Sequence, residues 1–172
     1  MSAKYKKTKY TLAFLFLALL AIGLWWRQQP AQVPDLKLTT ITGEKITLAQ
    51  IPGPALVVFW ATDCPACLQE IPLLTKLWRT YHGLGLEILA IAMAYDPPNR
   101  VVTFSRKRQL PYPVILDPFG ETASAFGGVR LVPTQLLIAN GKILWRQTGI
   151  LQESGIRGKI ETLLTSTKQG AA

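Results

Sequence analysis

The chain reads as a mixed α/β sandwich, and three features of its 172 residues predict it. Residues 55–61 are a continuous apolar run and 86–94 are apolar apart from Glu87, as expected of strands buried on both faces. Around them lie segments whose apolar residues recur at helical spacing. Near the C-terminus, Asn140-Gly141 joins the runs 134–139 and 142–148, a strong type I′ hairpin signal. Strand–helix–strand units closed by a hairpin and a helix describe a layered α/β architecture.

Taken in order, residues 36–40 and 45–48 alternate apolar and polar around Thr42-Gly43-Glu44, which predicts a β-hairpin. Residues 55–61 form the central strand. A helix follows over 65–82, with Leu68, Ile71, Leu74, Leu77 and Trp78 on one stripe. Gly83 is its expected stop, and Pro72 inside it is the place for a kink. Then come a strand over 86–94, a helix over 99–109 after Pro97-Pro98, a strand over 113–116 and a short helix over 120–126. Residues 156–164 close the domain as an amphipathic helix with Ile156, Ile160, Leu163 and Leu164 facing inward. No internal repeat or low-complexity tract is present.

The N-terminus is of another kind. Residues 1–10 carry Lys4, Lys6, Lys7 and Lys9 and no acid, forming a basic cytoplasmic tail. Residues 11–27 are apolar up to Arg27 and read as a transmembrane anchor or uncleaved signal; Ala21-Ile22-Gly23 is a passable cleavage site, which leaves a cleaved signal peptide as the other reading. The 16 uncharged residues from 11 to 26 span about 24 Å, short of the ~30 Å hydrocarbon core. Tyr10, Lys9 and the interfacial pair Trp25-Trp26 extend the reach. Residues 28–34 form a linker, 35–166 the folded domain and 167–172 a flexible tail. Such a segment holds the lysines on the cytoplasmic side of a membrane and exports everything after Arg27. The net charge is +9. Without residues 1–32 the 19 basic residues lose five, leaving 14 against 10 acids and a net of +4. No aromatic-interleaved basic stripe is present, so nucleic acid is not an expected partner.

The chemistry concentrates in Cys64-Pro65-Ala66-Cys67, which holds the only two cysteines. The pair follows a strand and opens a helix. At a helix N-terminus, free N–H groups and the helix dipole favour thiolate, the species that attacks disulfides. Cys64 is the candidate nucleophile, and Cys67, one turn on, the candidate resolving thiol. A zinc site lacks its other half, since no second pair exists and His82 is the only histidine. Haem attachment needs histidine where Leu68 stands.

These residues resemble the thioredoxin superfamily, and more narrowly its TlpA/ResA-like membrane-anchored thiol–disulfide oxidoreductases. Phe59-Trp60-Ala61-Thr62 before the dithiol, Glu70 and Pro72 after it, Val132-Pro133-Thr134, Asn140-Gly141-Lys142 and Gly149 carry the likeness. It covers about residues 33–164. The resemblance implies a thioredoxin-like three-layer sandwich with a mixed central sheet, an N-terminal β-hairpin and a helix–strand insertion, preceded by one transmembrane helix. It implies a cis Pro133 facing the dithiol, with Val132, Pro65 and Trp60 beside it as substrate-contacting residues. It implies a protein disulfide reductase acting on exported cysteine-containing proteins such as apocytochrome c or copper-centre assembly proteins. An integral-membrane carrier of the DsbD/CcdA type is the implied electron donor. No cofactor beyond the Cys64–Cys67 disulfide and no metal is implied.

Two departures stand out. Asp63 occupies the position where the family usually has tryptophan. It either opposes the Cys64 thiolate or caps the helix. Val58 stands where thioredoxin has a buried aspartate that accepts the proton of the resolving thiol, so that proton must go to water or another acid. Glu70 is expected to pair with a base or face solvent, Trp60, Trp78 and Trp145 to pack, and Glu87 to lie at an edge or reach the site. Other readings of the pair are a dithiol oxidase and a Cu(I)-binding metallochaperone. A peroxidase is not expected, because Ala61 holds the position where peroxiredoxins need threonine.

Overall fold

The computed structural model describes residues 31–170, together with residues 18–20 and 23 of the N-terminal segment. The basic tail and nearly all of the expected anchor over 11–27 lie outside the described residues. No described helix is long and apolar enough to cross a membrane.

The strands are β1 (Lys37–Thr39), β2 (Lys45–Thr47), β3 (Ala55–Trp60), β4 (Glu87–Ala92), β5 (Val114–Leu116), β6 (Thr134–Ala139) and β7 (Lys142–Thr148). The helices are α1 (Pro65–Tyr81), α2 (Pro98–Lys107), α3 (Glu121–Ala125) and α4 (Glu153–Gly170). Strands β1 and β2 form a separate antiparallel hairpin. The main sheet has the order β5-β4-β3-β6-β7. Strands β3, β4 and β5 run parallel, and β6 and β7 antiparallel to their neighbours. The sheet is mixed, with β3 at its centre, as the apolar runs predict.

All six residues of β3 are buried, and they alternate between two cores. Leu56, Val58 and Trp60 point to the layer of α1, α2 and α4, where they meet Leu74, Leu77, Val101, Ile156 and Ile160. Ala55, Val57 and Phe59 point to the layer of α3 and the N-terminal hairpin, where Phe126, Ala123, Leu38 and Leu48 cover them. Each face contributes large side chains that are almost wholly removed from water, the main driving force for the sandwich. In the β6–β7 turn, φ is 51° at Asn140 and 71° at Gly141, the paired left-handed conformations that a type I′ turn requires.

Four boundaries depart from expectation. Residues 32–33 are not free linker: Gln32 bridges Lys142, and the Val33 N–H donates to Gly141 O at 2.9 Å. Helix α1 does not stop on Gly83. A 3₁₀ turn over His82–Leu84 follows it, and Gly85, at φ 108°, takes the left-handed position. Helix α4 starts three residues early and runs to Gly170, past the expected domain end. The Thr165, Ser166 and Thr167 hydroxyls there donate to carbonyls of the preceding turn. The stripe buried on α1 is also rotated from the predicted one. It consists of Cys67, Glu70, Leu74, Leu77 and Tyr81, while Leu68 and Trp78 are only partly buried against the core.

Candidate functional site

The C-terminal ends of β3, β4 and β5 and the start of β6 meet at one end of the sheet. Trp60 pairs with Ala92, Ala92 with Leu116, and Phe59 with Thr134. The chain leaves β3 through Ala61, Thr62 and Asp63 and turns into α1. Cys64 has extended backbone (φ −97°, ψ 103°) and is the residue that caps α1, its sulfur accepting the Cys67 N–H at 3.1 Å. Asp63 is therefore not the cap and stands exposed on the rim. Pro65 fills the first helical position, where a missing N–H costs nothing. Cys64 and Cys67 are joined in a disulfide, with Cα atoms 5.2 Å apart. Cys64 is half-buried, and Cys67 is only 3% exposed. Only the first sulfur is open to a partner.

The approach to Cys64 is held from the side by Asp96, which the sequence reading did not single out. Asp96 is buried, and its carboxylate accepts the Thr62 N–H at 2.6 Å and the Thr62 hydroxyl at 2.7 Å. This fixes the loop that delivers the nucleophile to the loop that leaves β4. Tyr95 and Asp63 flank this joint, and burial, then the Asp63 and Asp96 carboxylates, push the Tyr95 phenol up.

Opposite Cys64 lies the Val132–Pro133 bond, which is cis as expected. Val132 O is 3.7 Å from the Cys64 sulfur. With the disulfide closed that sulfur has no proton to donate, so this is a packing contact. The loop is secured on both sides: the Thr134 hydroxyl donates to Leu131 O at 2.7 Å, and the Gly149 N–H to Pro133 O at 2.8 Å. Of the four predicted substrate-contacting residues, Pro65 is exposed and Val132 half-buried, whereas Pro133 and Trp60 are buried. Trp60 is 4% exposed and lies beneath the site against Phe104, because the last residue of β3 points into the helix layer. Tyr95, Phe119 and Leu131, at 56%, 85% and 68% exposure, leave the other strand ends of the rim apolar.

Behind the disulfide, Glu70 is neither on a solvent face nor paired with a base. It is 2% exposed, and its carboxylate accepts both contacts of the Gln135 amide, at 2.7 and 2.9 Å, and the Leu151 N–H. Burial pushes its carboxyl above the usual carboxylate range, against the pull of those two donors. Gln135 donates to Gly149 O as well, at 3.0 Å. The network ties α1 to β6 and to the chain leading into α4. Glu87 is remote: it opens β4 at the other end of the sheet, 3.4 Å from His82. Trp78 stacks on His82, their ring centroids 3.8 Å apart, and belongs to that distant end. Among the described residues, no group of three or more His, Cys, Asp or Glu side chains could hold a metal ion.

The fold and the dithiol define a class, the thioredoxin-fold thiol–disulfide oxidoreductases. The AhpC/TSA family model matches residues 30–156, and the chain belongs to that family. It is 31% identical over 134 residues to the thiol-disulfide oxidoreductase ResA of Halalkalibacterium halodurans, covering 77% of this chain and 75% of the relative. It is 29% identical over 131 residues to ResA of Geobacillus thermodenitrificans, covering 76% of this chain and 75% of the relative. Among solved structures, a thioredoxin-family thiol:disulfide interchange protein from Chlorobium tepidum superimposes with a TM-score of 0.71. At 24% identity over 79% of this chain and 97% of the other, that likeness shows the fold.

Proposed function

We propose that this protein reduces disulfides in exported proteins. One observation carries the reading: a solvent-open sulfur caps a helix beside the Val132 backbone, while its partner sulfur is buried one turn away. The helix N-terminus stabilises the Cys64 thiolate. An extended substrate lies along Val132 by strand addition; the Val132 N–H donates no hydrogen bond among the described residues. The Cys64 thiolate attacks one substrate sulfur, and the other leaves as a thiolate. Cys67 then attacks Cys64 in the mixed disulfide, the second substrate thiolate leaves, and the Cys64–Cys67 disulfide closes. Two electrons pass from the dithiol to the substrate.

The N-terminal sequence supports a tether to the bacterial inner membrane with the domain outside. An exported domain needs a donor for re-reduction, and an integral-membrane thiol carrier of the DsbD/CcdA type fits. Among exported cysteine-containing proteins, apocytochrome c and copper-centre assembly proteins are the candidate substrates that the family resemblance of the sequence implies. Cys67→Ser in the full chain tests the cycle. It is expected to accumulate a mixed disulfide with exported proteins, recovered by acid trapping and released by reductant. A Cys67→Ser chain that carries no more adducts than Cys64→Ser would refute the reading.

A further inference from the structure

The departure at Val58 leaves the Cys67 proton without its usual acceptor, and a small internal cavity lies at that spot. Its volume is about 10 Å³, and Val58, Trp60, Cys67 and Tyr112 are among its walls. That volume is near the smallest that holds one water. Trp60 is buried, and its indole N–H has no hydrogen-bond partner among the described residues. An unpaired buried donor is costly unless a water or another acceptor meets it. Tyr112 and Leu110 form walls both of this cavity and of a larger open groove of about 740 Å³ under the N-terminal hairpin. Tyr112 thus stands between the buried sulfur and solvent. Glu70 is not among the cavity walls; its carboxylate is engaged by Gln135 and the Leu151 N–H, and after burial it is the group that pushes the Tyr112 phenol up.

We propose that this cavity holds one water that takes the Cys67 proton during resolution, with Trp60 and Tyr112 as the residues that position it. The water accepts from the Trp60 N–H and the Cys67 S–H and donates to the Tyr112 oxygen. As Cys67 loses its proton to the water, the water passes one to Tyr112, and Tyr112 passes its own to solvent in the groove. The Cys67 thiolate then bonds to Cys64 sulfur, and the Cys64–substrate S–S bond breaks with its electron pair on the leaving thiolate. Val58 gives the site its room, since no side-chain carboxylate fills the cavity. This rests on the reading of Cys67 as the resolving thiol.

The test is release of a chromogenic aromatic thiol from a preformed mixed disulfide on Cys64, in the full chain, followed by stopped flow across pH. Tyr112→Phe is expected to slow release roughly tenfold or more near neutrality, with a rate that climbs with pH as hydroxide takes over. Trp60→Phe slows it in the same sense. Val58→Asp in the Tyr112→Phe background is expected to restore fast release, which a packing role for Tyr112 could not explain. The parent's release is expected to be slower in deuterated water. Parental rates and pH profiles in Tyr112→Phe would overturn the relay, as would an absent solvent isotope effect in the parent. If the parent releases no faster than Cys67→Ser, the resolving role itself falls, and the relay with it.

Discussion

The rim in front of the disulfide and the floor behind it are built on opposite terms. The rim is open: Cys64, Pro65 and Asp63 follow β3, and exposed Tyr95, Phe119 and Leu131 lie in the loops at the same end of the sheet, after β4, after β5 and before β6. The floor is closed: Cys67, Trp60, Val58 and Glu70 are each under 5% exposed. Strand ends are free to present side chains, so the rim sets who docks. The floor lies within the helix-layer core, where a polar group unpartnered among the described residues, such as the Trp60 N–H, is costly and a proton has few ways out. The difference teaches that the two sulfurs divide the chemistry. One is tuned by access and local field, the other by the supply of a proton acceptor.

The sharpest break in that comparison is Cys64→Ser. It removes the open sulfur, and turnover of a disulfide peptide with dithiothreitol as reductant is expected to fall by roughly a thousandfold or more. Cys67→Ser keeps the rim reactive, and single-turnover attack is expected to persist while turnover stops.

Next in size is the joint under the rim. Asp96→Ala leaves the Thr62 N–H and hydroxyl without their acceptor, and urea unfolding is expected to show a loss of about 1–3 kcal/mol. Thr62→Val removes only the hydroxyl contact and is expected to cost less, about 1 kcal/mol.

The floor gives a pH signature. The Glu70 carboxyl binds its proton more tightly in the folded chain than in the unfolded one, chiefly through burial. The stability it lends is therefore present at acid pH. That share is lost as pH rises from the ordinary value of 4.5 through the raised one. Glu70→Gln is expected to flatten this decline in denaturant midpoints measured between about pH 4 and pH 8. An unchanged slope would show that another group carries it.

The smallest expected effect belongs to Asp63. Its exposed carboxylate opposes the neighbouring thiolate through solvent, so Asp63→Asn is expected to lower the midpoint of Cys64 alkylation by only a few tenths of a pH unit, about the weight of an exposed charge pair. A drop of more than a full unit would give Asp63 a larger part in tuning the nucleophile than its exposure supports.

Much of this was legible in the chain itself. The strands read over 55–61 and 134–139, the Asn140-Gly141 turn and the dithiol at the head of α1 follow from local pattern, and the structure has them in place, the first strand ending at Trp60. The cis bond before Pro133 followed from the family resemblance, not from residue physics. Glu70 was misjudged although a signal existed. Cys67, Glu70, Leu74, Leu77 and Tyr81 recur at three- and four-residue steps, a complete buried stripe. Leu68, Ile71 and Trp78 form a neighbouring stripe one residue on, interrupted by Thr75, and its larger apolar side chains outweigh Glu70 when the buried face is read from sequence. Asp96 and Tyr112 had no local signal at all. Asp96 reaches Thr62 across 34 residues of sequence, and Tyr112 shares a cavity with Val58, Trp60 and Cys67, which stand more than 40 residues before it.

Direction of electron flow is the central claim, and the reduction potential of the Cys64–Cys67 pair tests it most directly. The soluble fragment 33–172 is equilibrated against glutathione buffers and read by thiol trapping. A value near thioredoxin's, roughly −270 mV, is the predicted result and marks a reductase that needs a membrane supply of electrons. A value near DsbA's, roughly −120 mV, would contradict it and make the protein an oxidase of exported thiols.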